Sequence, residues 1–453
     1  MKEKTSFSRR SFFKSSVLGA IGTMAIPTAF SSCSSSSSKS TEKLKDVVVP
    51  EILKAAPDGK RLTAGLVGCG GRGTGAALNF LDAGKDLHIT ALGDVFKDKL
   101  DACRDILKEK GQDIPDDKCF VGFDAYQKVI DSGVDVVLLC TPPVFRPVHF
   151  DYAVGKSKHC FIEKPCAVDP VGARQIIATG KRAAAQNLCV MSGTVRRSMK
   201  DCIETYRRVA GGAIGDIVSA HVSRMGGALW IRERQPGWSD MEYMLRNWAN
   251  FCWTSGDFIV EMFVHEIDRL AWFMGEKKPV RAEATGGRQR RITGDMYDMF
   301  SVEYVYDNGI RAHCTSRQIN GCDNQISSMI YGTKGYTNCQ DTIYNLDGSI
   351  AWQYPYPKPE DQDQSMAVPD PFVQEHILFV TAIRTNKPIN DAEPHAQSTL
   401  MAIMGREAAY TGKFITWDQL MSSSLRLGPE NYAFGPIPGI KEEIPLSGSS
   451  PKV

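Results

Sequence analysis

The sequence predicts an α/β protein: an N-terminal half built as a doubly wound parallel sheet, then a second, strand-rich α/β half. Three observations carry this. A short apolar run, residues 62–67, leads straight into a glycine-rich turn and a helical stretch. Strand-like and helical stretches then alternate to about residue 192, the pattern of parallel strands joined by crossover helices. From residue 214 strand-like runs dominate, and Asp307-Asn308-Gly309 is a hairpin signal between two of them. The length of 453 residues agrees with two domains, or three.

Composition narrows the class. With 42% hydrophobic and 23% charged residues the chain reads as an ordinary globular protein, not a disordered, collagen-like or polytopic membrane one. Lys+Arg 54 against Asp+Glu 52 leaves +2, which gives no basic footprint for nucleic acid. Thirteen cysteines without a CxxC pair read as small core residues, neither a disulfide framework nor a metal cluster.

The first residues read as an address. Ser8-Arg9-Arg10-Ser11-Phe12-Phe13-Lys14 followed by a mostly apolar stretch to Phe30 looks like a twin-arginine export signal. Phe30-Ser31-Ser32-Cys33 and a serine tract resemble a lipoprotein cleavage site with Cys33 as lipid anchor; simple cleavage before a flexible linker is the alternative. The expectation is a periplasmic protein exported already folded, touching a membrane only through signal or anchor. The expected segments are 1–33 signal, 34–58 linker, 59–192 nucleotide-binding domain, 193–425 substrate domain and 426–453 tail.

In the first half, Gly68-Cys69-Gly70-Gly71-Arg72-Gly73 spells G-x-G-x-x-G between a strand and a helix. The first glycine permits a tight turn, the second lets backbone approach a diphosphate, and the third allows close helix–strand packing. The diphosphate would sit at the helix N-terminus. The next strand-like run ends at Asp94, 21 residues past Gly73, where a carboxylate would meet the adenosine ribose. This favours NAD, with NADP left open by the nearby Lys97. Further strands at 134–140, 159–162 and 188–192 alternate with helical stretches at 99–110, 124–132, 147–155 and 170–185. Thr141-Pro142 and Glu163-Lys164-Pro165 then fall at C-terminal strand ends, where such sheets bind ligands.

The ordered set of the glycine turn, Cys140-Thr141-Pro142-Pro143 with His149, and Gly155-Lys156 with Glu163-Lys164-Pro165 resembles the Gfo/Idh/MocA oxidoreductases over residues 60 to 420 or so. The resemblance implies an N-terminal Rossmann domain and a C-terminal α/β domain with a large, open, mostly antiparallel sheet, whose face commonly forms a subunit interface. It implies a homo-oligomer, dimer or tetramer. Residues 373–411 resemble the family's helical return toward the first domain.

Residues 255–275 read as one helix, which would put Glu261, His265 and Asp268 on one face. An imidazole flanked by carboxylates suits a proton acceptor near neutrality. The segment resembles the family's acid-x-x-x-His motif, with Glu261 where Asp is usual. Oxidation of an alcohol needs a base within reach of the hydroxyl. His265 is expected in that role, with Lys164 on the same oxygen; their roles could be exchanged. Glu163 would hold the nicotinamide ribose, and Glu261 either touches substrate or supports His265. Trp230, Trp238, Trp248 and Trp253, interleaved with Arg232, Arg234 and Arg246, suit sugar faces, though core packing explains them as well. Arg197, Tyr297 and Arg317 are further candidates for the cleft. His376 and His395 read as packing or capping residues. Residues 340–372 read as a long surface loop.

The function expected is an NAD(P)-dependent dehydrogenase of a sugar or glycoside hydroxyl with a tightly held, recycled cofactor. One alternative is a redox-neutral NAD-dependent glycosidase resembling glycoside hydrolase family 109, whose His-Gly-x-Gly-Pro stretch is absent around His265. Another is a non-catalytic sugar sensor.

Overall fold

The computed structural model describes residues 52–362, 364, 366–438 and 443–448. The export signal, Cys33 and the linker up to residue 51 lie outside the described residues. All that follows belongs to one unit of the chain, Lys43–Val453.

Six parallel strands form the first sheet: β1 (Leu62–Val67), β2 (Leu87–Asp94), β3 (Cys119–Val121), β4 (Val136–Leu139), β5 (His159–Ile162) and β6 (Val190–Ser192), in the order β3-β2-β1-β4-β5-β6. The central β4, Val-Val-Leu-Leu, is a continuous apolar run buried throughout because helices cover both faces. Those helices are α1 (Gly71–Asp82), α2 (Lys97–Glu109), α3 (Ala125–Asp131), α4 (Arg146–Gly155) and α5 (Pro170–Ala185). Strand order reverses between β1 and β4, which opens a crevice beyond their C-terminal ends.

After α6 (Lys200–Ala210), nine strands form the second sheet: β7 (Ile217–Gly226), β8 (Arg281–Gly287), β9 (Met299–Val305), β10 (Arg311–Gln318), β11 (Gln325–Gly332), β12 (Gly335–Thr337), β13 (Thr342–Asn345), β14 (Ile350–Gln353) and β15 (Ile415–Thr416). Their order is β14-β13-β12-β11-β7-β10-β9-β8-β15, with only the β7–β10 pair parallel. The expected α/β class, a parallel sheet plus a large mostly antiparallel one, is what the chain adopts. One correction concerns residues 340–372: β13 and β14 make a hairpin there, turning at Gly348 with φ of 88°. These edge strands lack the alternation of a one-sided strand, so no period marked them.

Short helices α7 (Asp240–Arg246), α8 (Cys252–Ser255), α9 (Phe258–Glu261) and α10 (Val264–Phe273) fill the span between β7 and β8. The single helix expected over 255–275 is therefore broken. α8 ends at Gly256 with φ of 83°, and Asp257 follows with φ of 74°. Positive φ is rare for a side-chain-bearing residue. Asp257 is held there because its carboxylate accepts from the backbone N–H of Phe258 at 2.5 Å and of Tyr297 at 3.0 Å, and from the Tyr410 hydroxyl. A second break at Met262 and Phe263 separates α9 from α10.

The chain then returns. α11 (Pro371–Arg384) packs on α1, and α12 (Ala392–Thr411) lies against α5, α10 and β8. α13 (Trp417–Ser422) opens with a capping box from Thr416 and Gln419. Beyond it the described tail folds back, with Leu427 N–H donating to Asp169 at 2.8 Å. Among the described residues no helix is long and apolar enough to cross a membrane.

Candidate active site

The crevice beyond the first sheet is a cavity of about 580 Å³ walled by the strand ends and helices of the first lobe and by the span between β7 and β8 of the second. Its floor is the glycine turn. Gly68 takes φ of 96°, and a Cβ there would lie 2.7 Å from Cys140 carbonyl carbon. A Cβ on Gly73 would lie 1.8 Å from the Gly68 carbonyl oxygen, so only glycine lets α1 pack this closely. Gly70 and Gly71 instead face open space. The free N–H groups of the first α1 turn border this cradle. A diphosphate therefore fits, bound by backbone and helix dipole.

Asp94 stands on the wall at the end of β2. Its two oxygens accept from the N–H of Cys69 at 2.7 Å and of Phe96 at 2.8 Å, so the carboxylate also fixes the turn's shape. Burial raises its pKa. Lys97 bonds Asp101 at 2.6 Å and is not on the cavity wall; Lys99 is. Thr141, Pro142 and His149 line the far side of the turn. His149 stacks on Tyr126 with ring centroids 4.1 Å apart, and its burial depresses its pKa to about 3. A neutral, stacked imidazole is a wall, not an acid.

The reactive end is built by β5 and α9–α10. Glu163 is buried, salt-bridged to Arg72 at 2.6 Å, and a Cβ on Gly193 would lie 2.9 Å from its carboxylate. Lys164, next along the chain, donates from Nζ to the Glu261 backbone oxygen at 2.6 Å and to Glu261 Oε1 at 3.1 Å. A lysine has three N–H donors, so one remains. The second Glu261 oxygen, Oε2, is buried and has no partner. His265 lines the same cavity. Burial first, then the positive charges of Lys164, Arg224, Arg196 and Arg269, hold it well below the usual imidazole range. The expected stabilisation of its charged form by flanking acids is thus corrected: Glu261 serves Lys164, and His265 is kept neutral, able to accept a proton but a weaker base than an ordinary imidazole.

Other expected residues lie elsewhere. Asp268 is 2% exposed and is held by Arg197, with bonds of 2.9 Å from both Nε and Nη2; Arg197 also bridges Glu276 at 2.7 Å. Tyr297 is buried, its hydroxyl donating to the Pro445 carbonyl at 2.9 Å. Trp253 is buried, its indole N–H aimed at Met244 sulfur at 3.3 Å. None of Asp268, Arg197, Tyr297 and Trp253 is on the cavity wall, whereas Trp230, Trp248, Arg232 and Arg246 are. Asn247 and Asn250 pin that wall, bonding the backbones of Arg232 and Trp230 at 2.7 and 3.0 Å. Wall residues that sequence reasoning missed are Phe96, Phe123, Phe145, Arg146 and Phe372. The aromatic residues just after β2, β3 and β4 were the available signal, because those are the binding ends of the strands.

Residues 62–193 match the model described as the oxidoreductase family with an NAD-binding Rossmann fold. Residues 203–338 match the Gfo/Idh/MocA C-terminal domain. Together they take in more than half of the chain, in the expected order.

The chain belongs to the Gfo/Idh/MocA oxidoreductase family.

Its Rossmann domain is of the NAD-binding kind, and the cradle just described fits that cofactor. Myo-inositol 2-dehydrogenase of Thermotoga maritima is 25% identical over 213 residues, which is 47% of this chain and 55% of that relative. The match thus spans about half the relative's length. Among solved structures, scyllo-inositol dehydrogenase from Lactobacillus casei with bound NAD(H) and scyllo-inositol superposes with a TM-score of 0.59 at 22% identity, covering 79% of this chain and 99% of that one. Aldose-aldose oxidoreductase from Caulobacter crescentus gives 0.61 at 18% identity, covering 79% and 100%. At these identities the likeness speaks for the Gfo/Idh/MocA fold alone.

Proposed function

We propose that the protein is an NAD-dependent dehydrogenase of a sugar or glycoside hydroxyl, with a tightly held nicotinamide recycled in place. The observation that carries this is the meeting of Lys164 and His265 on the wall of the cavity that also holds the glycine turn. The bound nicotinamide would supply the hydride acceptor. The chain's own groups do the rest. His265, held neutral, takes the hydroxyl proton. The free N–H of Lys164 bonds the same oxygen and steadies the negative charge that grows on it. Glu261 keeps that ammonium in place and offers Oε2 to a second hydroxyl. Trp230 and Trp248, edge to face at 6.0 Å, offer apolar faces to a ring.

The test is to mix the purified protein with candidate polyols, sugars and glycosides and follow nicotinamide absorbance at ~340 nm with product analysis. A keto-sugar with reduced cofactor supports the dehydrogenase; free sugar without net reduction would point to the glycosidase. No response from any substrate, with Lys164→Ala and His265→Ala equally silent, overturns the proposal.

The export signal, periplasmic residence and lipidation at Cys33 are part of the same reading: outside the inner membrane no free nicotinamide pool exists, so a retained cofactor suits an exported enzyme. Mass spectrometry of the mature N-terminus tests it. A homo-oligomer is proposed on the second sheet's outer face, where His221, His313, Glu303 and Glu283 stand in one cross-strand row; light scattering gives the subunit number.

A further inference from the structure

Asp94 ends β2 and Phe96 follows it, β2 being the strand that leads to the adenosine end of a nucleotide in a sheet of this order. In an open Rossmann crevice that end faces solvent. Here the second lobe covers it. Leu245 and Arg246, at the end of α7, share the cavity wall with Asp94 and Phe96. The Arg246 guanidinium reaches across to the first lobe and grips Asp98 of α2 with two bonds, of 3.0 and 3.1 Å. Its Cζ lies 4.0 Å from the centroid of the Phe96 ring, and Glu242 holds its Nε at 3.0 Å. Every nitrogen of the group is engaged, so the arm is fixed rather than waving.

A second layer stands behind the first. The tail crosses both lobes: Phe434 packs on Phe123 at 5.3 Å and Phe96 at 5.9 Å, and Tyr432 on Phe145 at 4.9 Å. Ile437 is buried among Met241, Met244 and Leu245 of α7. Met241 N–H donates to the Gly435 carbonyl at 3.1 Å. The strap thus braces from outside the same three strand-end loops whose aromatic rings line the cavity inside.

We propose that Arg246, Asp98 and the strap at residues 427–437 form a clasp over the adenosine end of the dinucleotide, so that the cofactor leaves only when the clasp opens and is retained from one turnover to the next. This rests on the nucleotide site proposed above and adds the residues that lock it. Substrate enters past Trp230 and Arg232 while the nucleotide stays.

The experiment measures nucleotide exchange, not activity. Full-length protein is desalted exhaustively, its bound nicotinamide nucleotide is extracted and counted, and exchange into excess radiolabelled NAD is timed. Wild type is expected to keep close to one nucleotide per chain. Asp98→Ala, Arg246→Ala and Tyr432→Ala are expected to exchange at least tenfold faster, with the Asp98→Ala, Arg246→Ala double variant no faster than the faster single. Asp98 is largely exposed, so its variant folds and keeps the test valid if the others do not. Asp98→Ala exchanging as slowly as wild type overturns the clasp. Wild type that binds NAD but exchanges it within mixing time also overturns the clasp while leaving the nucleotide site standing. Wild type that binds no NAD at millimolar concentration overturns both.

Discussion

Lys164 Nζ lies 2.6 Å from the backbone oxygen of Glu261. This bond joins the end of β5 in the first lobe to the end of α9 in the second, so the alignment of the two lobes and the placement of the ammonium are one quantity. Burial holds the His265 pKa low, and the positive charge of a lysine so placed lowers it further.

Lys164→Met should raise the His265 pKa toward its ordinary value by removing a nearby cation. NMR titration of the His265 ring in the nucleotide-free protein reads this directly. Turnover should fall by about 10²–10³-fold. A His265 titration unmoved by the substitution would show that burial alone sets it.

Gly70→Ala and Gly73→Ala should separate binding from folding. A Cβ on Gly70 meets nothing within 4 Å, so stability should change by about 1 kcal/mol or less while NAD affinity falls at least tenfold, since the methyl occupies the diphosphate cradle. Gly73→Ala forces a Cβ to 1.8 Å from Gly68 oxygen and should destabilise by about 1–3 kcal/mol. Denaturant titration and calorimetry distinguish them.

Asp268→Ala should act on stability before chemistry. It strips a buried partner from Arg197 and should cost about 3 kcal/mol, read from urea unfolding. In the fraction that folds, KM for substrate should be unchanged, because Asp268 is not on the cavity wall.

His376 sits between Phe161, at 4.4 Å, and Phe80, at 6.1 Å, with both ring nitrogens unpartnered. Burial holds its pKa at about 3. The unfolded chain takes up this proton below about pH 6.5 and the folded chain does not, so stability is lost as pH falls through that window. His376→Leu removes the effect. Its stability relative to wild type should be constant above pH 7.5 and should improve by about 2 kcal/mol at pH 5. A pH-independent difference would mean that His376 titrates equally in both states.

Much of the first lobe was legible because apolar runs, glycines and helix periods agree there: β1 has the expected bounds, and helices α2 to α5 fall where expected within two or three residues. Lys164, Glu163 and Thr141 were legible from their places at strand ends, and His149, which lies within α4, from the family resemblance. The second lobe was legible only in part: Glu261, His265, Trp230, Trp248, Arg232 and Arg246 do line the cavity, whereas Asp268, Arg197, Tyr297 and Trp253 do not. The spacing of Glu261, His265 and Asp268 implied one face, but the backbone turns at Asp257 and again at Met262, and a turn held by bonds to Tyr297 and Tyr410 leaves no local signature. Asp268, Tyr297 and Trp253 have the chemistry of ligand groups, yet long-range partners take that chemistry up. Which polar side chain faces a cavity and which faces a buried partner is decided by tertiary packing, not by residue type.

The joint at Met262 and Phe263 has a further meaning. Because α9 and α10 are separate rods, the three residues between Glu261 and His265 work as a gearing: one residue added or lost there would turn the imidazole by about 100° around the α10 axis while both helices and the ammonium's anchor stayed intact. Phe263 of the joint and Ile267, Leu270 and Phe273 of α10 are buried, so the same turn would lift apolar side chains out of their packing: the length of this short spacer is held by the core as well as by the site.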